Sequence, residues 1–418
     1  MHASTMTWVI AGMTALGVIT RPLALPEAIW ALLGAFLLLT LGLIGFPEAW
    51  KGVVKGLDVY LFLIGMMLLS ELARREGLFD WLASVATAYA KGSPRRLFIL
   101  IYCVGIVVTV FLSNDATAVV LTPAVYAACR AAKVKDPMPY LLICAFIANA
   151  ASFVLPISNP ANLVIFGGGA MPPLSQWLAT FTLPSLVSIA VTFLALYWTQ
   201  RRVIAADTVA ADIEEIRLTT TAKLAALGLC GTAVLLLAAS ALDLDLGLPT
   251  FVAGCLTTAA ILLVTRQTLA GTLKDISWSV LPLVAGLFIV VEALNQTGLI
   301  EHLARYLSEG ATNAPLRAAT AAGAIVALVS NLVNNLPAGL VAGSAVQAAD
   351  VSDKIAGAVL IGVDLGPNLS ITGSLATILW LTAMRREGLR IGAWSFLKIG
   401  VVVMIPALVL FLAVLILQ

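Results

Sequence analysis

The chain has 418 residues, 61% of them hydrophobic and 11% charged, with a formal net charge of +2. A soluble protein carries about 25% charged residues, so a soluble enzyme is excluded, and no nucleic-acid partner is expected. Apolar runs of span length recur from end to end, the pattern of an all-α polytopic membrane protein embedded in the lipid bilayer.

In chain order, the first apolar run lacks a basic leader and is followed by Arg21, so no cleavable signal is expected. Further along, Gly65, Glu71 and Gly77-Leu78 recur in order as Gly286, Glu292 and Gly298-Leu299, an offset of about 220 residues. The run Leu97–Leu112 then ends in Ser113-Asn114-Asp115-Ala116-Thr117, polar residues that are expensive in hydrocarbon unless they face a cavity or bind something. A second break follows near Pro156–Asn162. The stretch Gln200–Lys223, with Arg201, Arg202, Asp207, Asp212, Glu214, Glu215 and Arg217, reads as a linker between two halves. The second half repeats the pattern. Ala318–Val329 leads into Val333-Asn334-Asn335-Leu336-Pro337, and a last break lies near Gly366–Gly373. Asn114-Asp115 aligns with Asn334-Asn335, and Ser158-Asn159-Pro160-Ala161-Asn162 with Gly373-Ser374-Leu375-Ala376-Thr377. Paired breaks in corresponding halves mark a repeat-built secondary transporter with its site near the midplane.

The charges set the sidedness. Residues 97–129 are read as a re-entrant hairpin tipped by Ser113–Thr117, and residues 315–347 as a second, entering from the opposite face. The segments around the other two breaks each cross once. Of the 24 Lys and Arg, only Lys51, Lys55, Arg305, Arg317 and Lys354 then fall on one face. The positive-inside rule makes the other face cytoplasmic. The expected architecture is ten transmembrane helices plus two opposed re-entrant hairpins in two inverted repeats. Residues 1–199 form the first repeat, 200–223 a cytoplasmic linker, and 224–418 the second repeat.

A hairpin tip presents unpaired backbone N–H and C=O groups, and half-helices aim their dipole ends at it. The candidate solute ligands are Asn114, Asp115, Thr117, Asn149, Ser158, Asn159, Asn334, Asn335, Thr372 and Ser374. The competing reading of the asparagines is that they only cap half-helices. Asp115 and Asp364 sit at breaks with no basic neighbour in sequence, which suits them to exchange a proton. Glu71 and Glu292 are further coupling candidates, with interfacial salt bridges as the plainer reading. His2 and His302 lie outside the expected spans, so a proton path cannot rest on histidine. The five cysteines are scattered without a C-x-x-C pair and read as buried small apolar residues. No catalytic set, metal site or cofactor is expected. No Lys or Arg occurs in any break and no phosphate-binding loop is present, so the site suits a small neutral hydroxylated solute or a cation.

The strings Phe111–Pro123, Asn334–Pro337 and Gly362–Thr377 resemble the arsenite efflux permeases (ArsB type) of the ion transporter superfamily, and the likeness covers nearly the whole chain. It implies a fold of inverted repeats with opposed hairpins. It also implies export of arsenite and antimonite as neutral hydroxides in exchange for protons, across the inner membrane. In some relatives a cytoplasmic arsenite-stimulated ATPase is a partner. The Asn-Asp tip is shared with sodium/proton antiporters of the superfamily, so sodium/proton exchange remains an alternative, as does the membrane subunit of an ATP-driven pump. Asn amides and Ser or Thr hydroxyls both donate and accept, which matches an arsenic(III) hydroxide. Some relatives carry Gly-Ala where this chain has Ala116-Thr117, which leaves the role of Thr117 open.

Overall fold

The computed structural model describes residues 3–166, 171–210, 217–266 and 268–418, so Asp212, Glu214 and Glu215 of the expected linker, His2, and the end of the first broken span lie outside the described residues. Among the described residues every regular element is a helix. The first half holds α1 (Ala3–Thr20), α2 (Glu27–Thr40), α3 (Phe46–Lys55), α4 (Leu57–Arg75), α5 (Leu78–Tyr89) and α6 (Pro94–Phe111). It continues with the single turn α7 (Asn114–Ala116), α8 (Thr122–Ala131), α9 (Met138–Ala150), α10 (Pro160–Phe166) and α11 (Leu174–Ala206). The second half holds α12 (Thr220–Ala241), α13 (Gly247–Thr265), α14 (Leu269–Lys274), α15 (Val280–Asn295) and α16 (Leu299–Asn313). It ends with α17 (Pro315–Val333), α18 (Asn335–Ala349), α19 (Asp353–Leu365), α20 (Leu375–Arg386) and α21 (Ala393–Leu417). Among the described residues, seven helices are long and apolar enough to cross a membrane, or up to nine if each of two bent pairs is one span.

Local chemistry explains where the helices stop. Gly77 (φ 74°) and Gly298 (φ 81°) stand at matched places before α5 and α16, in a left-handed conformation that costs glycine nothing. The helices they open carry Asp80, and Glu301, His302 and Arg305, on one side, which suits short segments at a polar boundary. α11 continues through Arg201 and Arg202 to Ala206, and α12 starts at Thr220.

In hydrocarbon, helix association relies on close packing of small residues. α4 meets α13 this way: a side chain at Gly65 would collide with the Thr250 carbonyl, and one at Gly254 with the backbone of Gly65. α9 and α19 are buried on all sides from Pro139 to Ala150 and from Ile355 to Leu365. Helices enclosed in protein can break without exposing peptide groups to lipid, and both of these do.

Candidate functional site

Each of the four breaks has a side-chain cap, that at α10 being Asn159, which accepts from the Ala161 N–H at 3.0 Å. Ser113 accepts a hydrogen bond from the Ala116 N–H at 3.2 Å and so opens α7. Asn334 accepts from the Leu336 N–H at 3.2 Å and opens α18, with φ at 74°. Ser374 accepts from the Thr377 N–H at 3.0 Å and opens α20. Matching the caps pairs Ser113 with Asn334 and Asn114 with Asn335. This is a shift of one residue from the alignment of Asn114-Asp115 with Asn334-Asn335, and it restores the offset that relates Gly65 to Gly286 and Glu71 to Glu292.

A small cavity of ≈ 20 Å³ lies where the breaks meet, and Asn114, Asp115, Asn159 and Asn335 line it. Val59 and Val280, Leu63 and Val284, Asn114 and Asn335, and Asp115 and Leu336 are four pairs in its wall at that same offset. The buried Asn335 Oδ1 has no hydrogen-bond partner among the described residues. The Asp115 backbone N–H donates to Asn114 Oδ1 at 2.9 Å, so the two neighbours that line the cavity are bonded to each other. A second cavity of ≈ 90 Å³ shares Leu63, Asp115, Pro160 and Val280 with the first and leads past Ser70, Ser113 and Glu71 to Asp275 and Ser277 at the surface. Asp115 therefore stands at the junction of the inner cavity and its vestibule. A larger cavity, ≈ 580 Å³ between α1, α15, α16, α17 and α18, has apolar walls and holds none of the candidate residues.

The remaining candidates lie outside the inner cavity. Thr117 is buried beneath the first tip, 2.8 Å from Thr109 Oγ1. Ser158 donates to the Val110 carbonyl at 2.9 Å and ties the break to α6. Asn149 donates to Asn368 Oδ1 at 3.0 Å and to Thr377 Oγ1 at 3.3 Å. The Thr372 carbonyl accepts from Asn334 Nδ2 at 3.3 Å. Asp364 is fully buried and bonded to Ser152 and Asn159 at 2.8 and 2.9 Å. Glu71 is ion-paired with Arg74 and Arg75 at 2.6 and 2.9 Å, and Glu292 with Lys55 at 2.7 Å. The buried Cys129 and Cys144 line neither cavity.

Sequence reasoning missed Asn331. Its Nδ2 donates to the carbonyls of Ala327 and Gly366 at 2.7 and 2.9 Å, and its Oδ1 accepts from Ser370 at 2.8 Å, pinning the last break to α17. Its signal was present: a third asparagine one turn before Asn334-Asn335. The walls supplied by α4 and α15 were also missed, because unbroken apolar helices carry no mark of what they face.

Known proteins share this arrangement over most of its length. The chain is 27% identical to an arsenical pump membrane protein of Escherichia coli (strain K12) over 423 residues, 96% of each chain. It is 28% identical to one from Yersinia enterocolitica over 388 residues, 89% of this chain and 88% of that one. The resemblance read from the break motifs therefore holds at full length. Two solved structures share the fold, each with a TM-score of 0.56. The Alcanivorax borkumensis YdaH transporter is 15% identical, covering 89% of this chain and 87% of its own. Neisseria gonorrhoeae MtrF is 13% identical, covering 89% and 83%. The family model described as a citrate transporter (CitMHS) matches residues 14–362. The chain is thus a membrane transporter that belongs to the CitMHS citrate-transporter family.

Proposed function

We propose that this protein exports arsenite and antimonite as neutral trihydroxides, in exchange for protons, across the cytoplasmic membrane. The observation that carries the reading is the inner cavity: three asparagines and one carboxylate, with no Lys or Arg among the described residues of its wall or of the vestibule's. Citrate, the substrate that the family's description prints, is an anion and calls for fixed positive charge. A neutral hydroxide instead needs groups that both donate and accept, which Asn114 and Asn335 supply. Asp115 is the group through which a proton competes with cargo, because it alone among the coupling candidates borders the inner cavity.

Ten spans, two opposed hairpins and two inverted repeats complete the proposal, with the cytoplasmic end at the linker. Contacts between helix ends support it. Arg74 and Arg75 reach Asp275, Arg95 donates to Tyr197 Oη at 2.7 Å, and the Lys135 N–H donates to Asp207 at 2.9 Å, joining segments assigned to the cytoplasmic end. Lys55 with Glu292, and Gln176 with Asp353, join segments assigned to the other end. Single cysteines at Lys133→Cys and Thr208→Cys should react with an impermeant maleimide in everted vesicles and stay unlabelled in intact cells. Labelling of either from outside would overturn the sidedness.

The function itself is tested by flux. Everted vesicles energised by a proton gradient, without ATP, should accumulate arsenite. Sodium-dependent proton release without arsenite uptake would favour sodium/proton exchange, and uptake only with ATP and a cytoplasmic partner would favour a pump subunit. Accumulation of citrate instead would return the chain to the substrate of the family's description.

A further inference from the structure

Asp364 does not border the cavity, yet its surroundings are unusually specific. It is the penultimate residue of α19, and Asn149 is the penultimate residue of α9. Each reaches into the opposite half. Asn149 bonds Thr377 in the first turn of α20, and Asp364 bonds Asn159, the residue just before α10. The two side chains brace the two broken helices against each other from matched positions.

The hydrogens at this brace can be counted. Ser152 Oγ is 2.8 Å from Asp364 Oδ2 and also 2.8 Å from the Asn149 carbonyl oxygen. A serine has one hydroxyl hydrogen, while a carbonyl and an ionised carboxylate only accept. An ionised Asp364 would therefore either lack the serine's hydrogen at Oδ2 or leave the buried Asn149 carbonyl with only the Ser152 backbone N–H, at 3.4 Å, as donor. A protonated Asp364 satisfies all three groups: its O–H donates to Ser152 Oγ, Ser152 donates to the Asn149 carbonyl, and Asp364 Oδ1 accepts from Asn159 Nδ2 at 2.9 Å. No cation offsets a charge here. Among the described residues, α10 and α18 carry no ionisable side chain. α9 offers only Tyr140 and Cys144, and the charged residues of α11, α17, α19 and α21 are Arg201, Arg202, Arg317, Asp353, Lys354 and Lys398, none of which pairs with Asp364. Proteins avoid an unpaired buried charge by neutralising the group. The matched position carries asparagine, a neutral side chain that also offers one donor group and one acceptor.

We propose that Asp364 is a neutral carboxylic acid in this conformation and acts as a proton-dependent brace between the two broken helices, a positioning residue for Asn159. Loss of its proton turns the Ser152 hydroxyl toward the carboxylate, leaves the Asn149 carbonyl only the longer bond from the Ser152 backbone N–H and loosens the break in the first half. The consequence for transport rests on the proton-exchange reading; the protonation state itself does not.

Infrared spectroscopy of the purified protein in lipid nanodiscs tests the state without any substrate. At neutral pH the wild type should give a protonated-carboxyl C=O band that persists in Asp115→Asn and vanishes in Asp364→Asn. Ser152→Ala should shift that band to higher frequency without removing it, which keeps the test open if Asp364→Asn does not insert. A wild type without the band, or a band untouched by both Asp364→Asn and Ser152→Ala, would overturn the assignment. In vesicles, Asp364→Asn holds the brace closed, so turnover should fall at least tenfold while the KM for arsenite stays within twofold. Turnover at the wild-type level would overturn the brace. Failure of wild-type arsenite transport, with the band present, would instead count against the cargo alone.

Discussion

Asp115→Asn should bind arsenite with almost no dependence on pH and should fail to accumulate it against a gradient. The substitution keeps the size of the side chain and its place at the junction of cavity and vestibule, but fixes it in a neutral form. Exchange requires that the proton-bound and cargo-bound states disfavour each other, a coupling of about 1–3 kcal/mol, or roughly 5- to 150-fold in affinity. Removing the titrating group should bring that factor to near one. Calorimetric titration of the purified protein with arsenite across a pH series measures it directly. A mutant whose affinity still changes with pH as the wild type's does would move the coupling group away from the cavity.

Asn335→Ala should weaken arsenite binding by roughly ten- to a hundredfold while leaving the protein inserted and folded. Asn335 lines the cavity and carries a buried oxygen with no partner among the described residues, and in the proposed reading a cargo hydroxyl donates to it. Losing such a bond costs about 1–3 kcal/mol, which gives that range. Its neighbour Asn334 would report something else. With φ at 74° and its side chain capping α18, it shapes the turn between α17 and α18, so its replacement acts on that turn before it acts on cargo. Unchanged calorimetric affinity in Asn335→Ala would reduce the second tip to a structural cap.

The breaks were legible in sequence because Asn, Asp, Pro and Gly in an apolar run have few cheap alternatives to lining a cavity or capping a helix. Both outcomes occurred, and the sequence could not divide them. Asn334 and Asn335 are neighbours of one residue type, and only the backbone conformation at Asn334 sends the first to the cap and the second to the cavity. Asn149 and Ser158 were read as ligands from their crowding, yet their partners sit in Asn368, Thr377 and the Val110 carbonyl, contacts that depend on how the halves pack. For Glu71 and Glu292 the plainer reading is what the geometry gives. Each is held by Arg or Lys at a helix end, and for Glu71 both arginines are within one turn. The Asp364 brace was beyond reach, since Ser152 and Asn159 lie more than 200 positions away in the chain.

The wall of the inner cavity is made largely of matched positions, and one match differs in polarity: Asp115 on one side, Leu336 on the other. Two interchangeable halves would present a solute with the same chemistry from either entrance. Here the acid belongs to the first-half break, which also lines the vestibule. A proton and a hydroxide arriving from opposite compartments would therefore meet different neighbours, so the rates of loading and unloading need not mirror each other even where the backbone does.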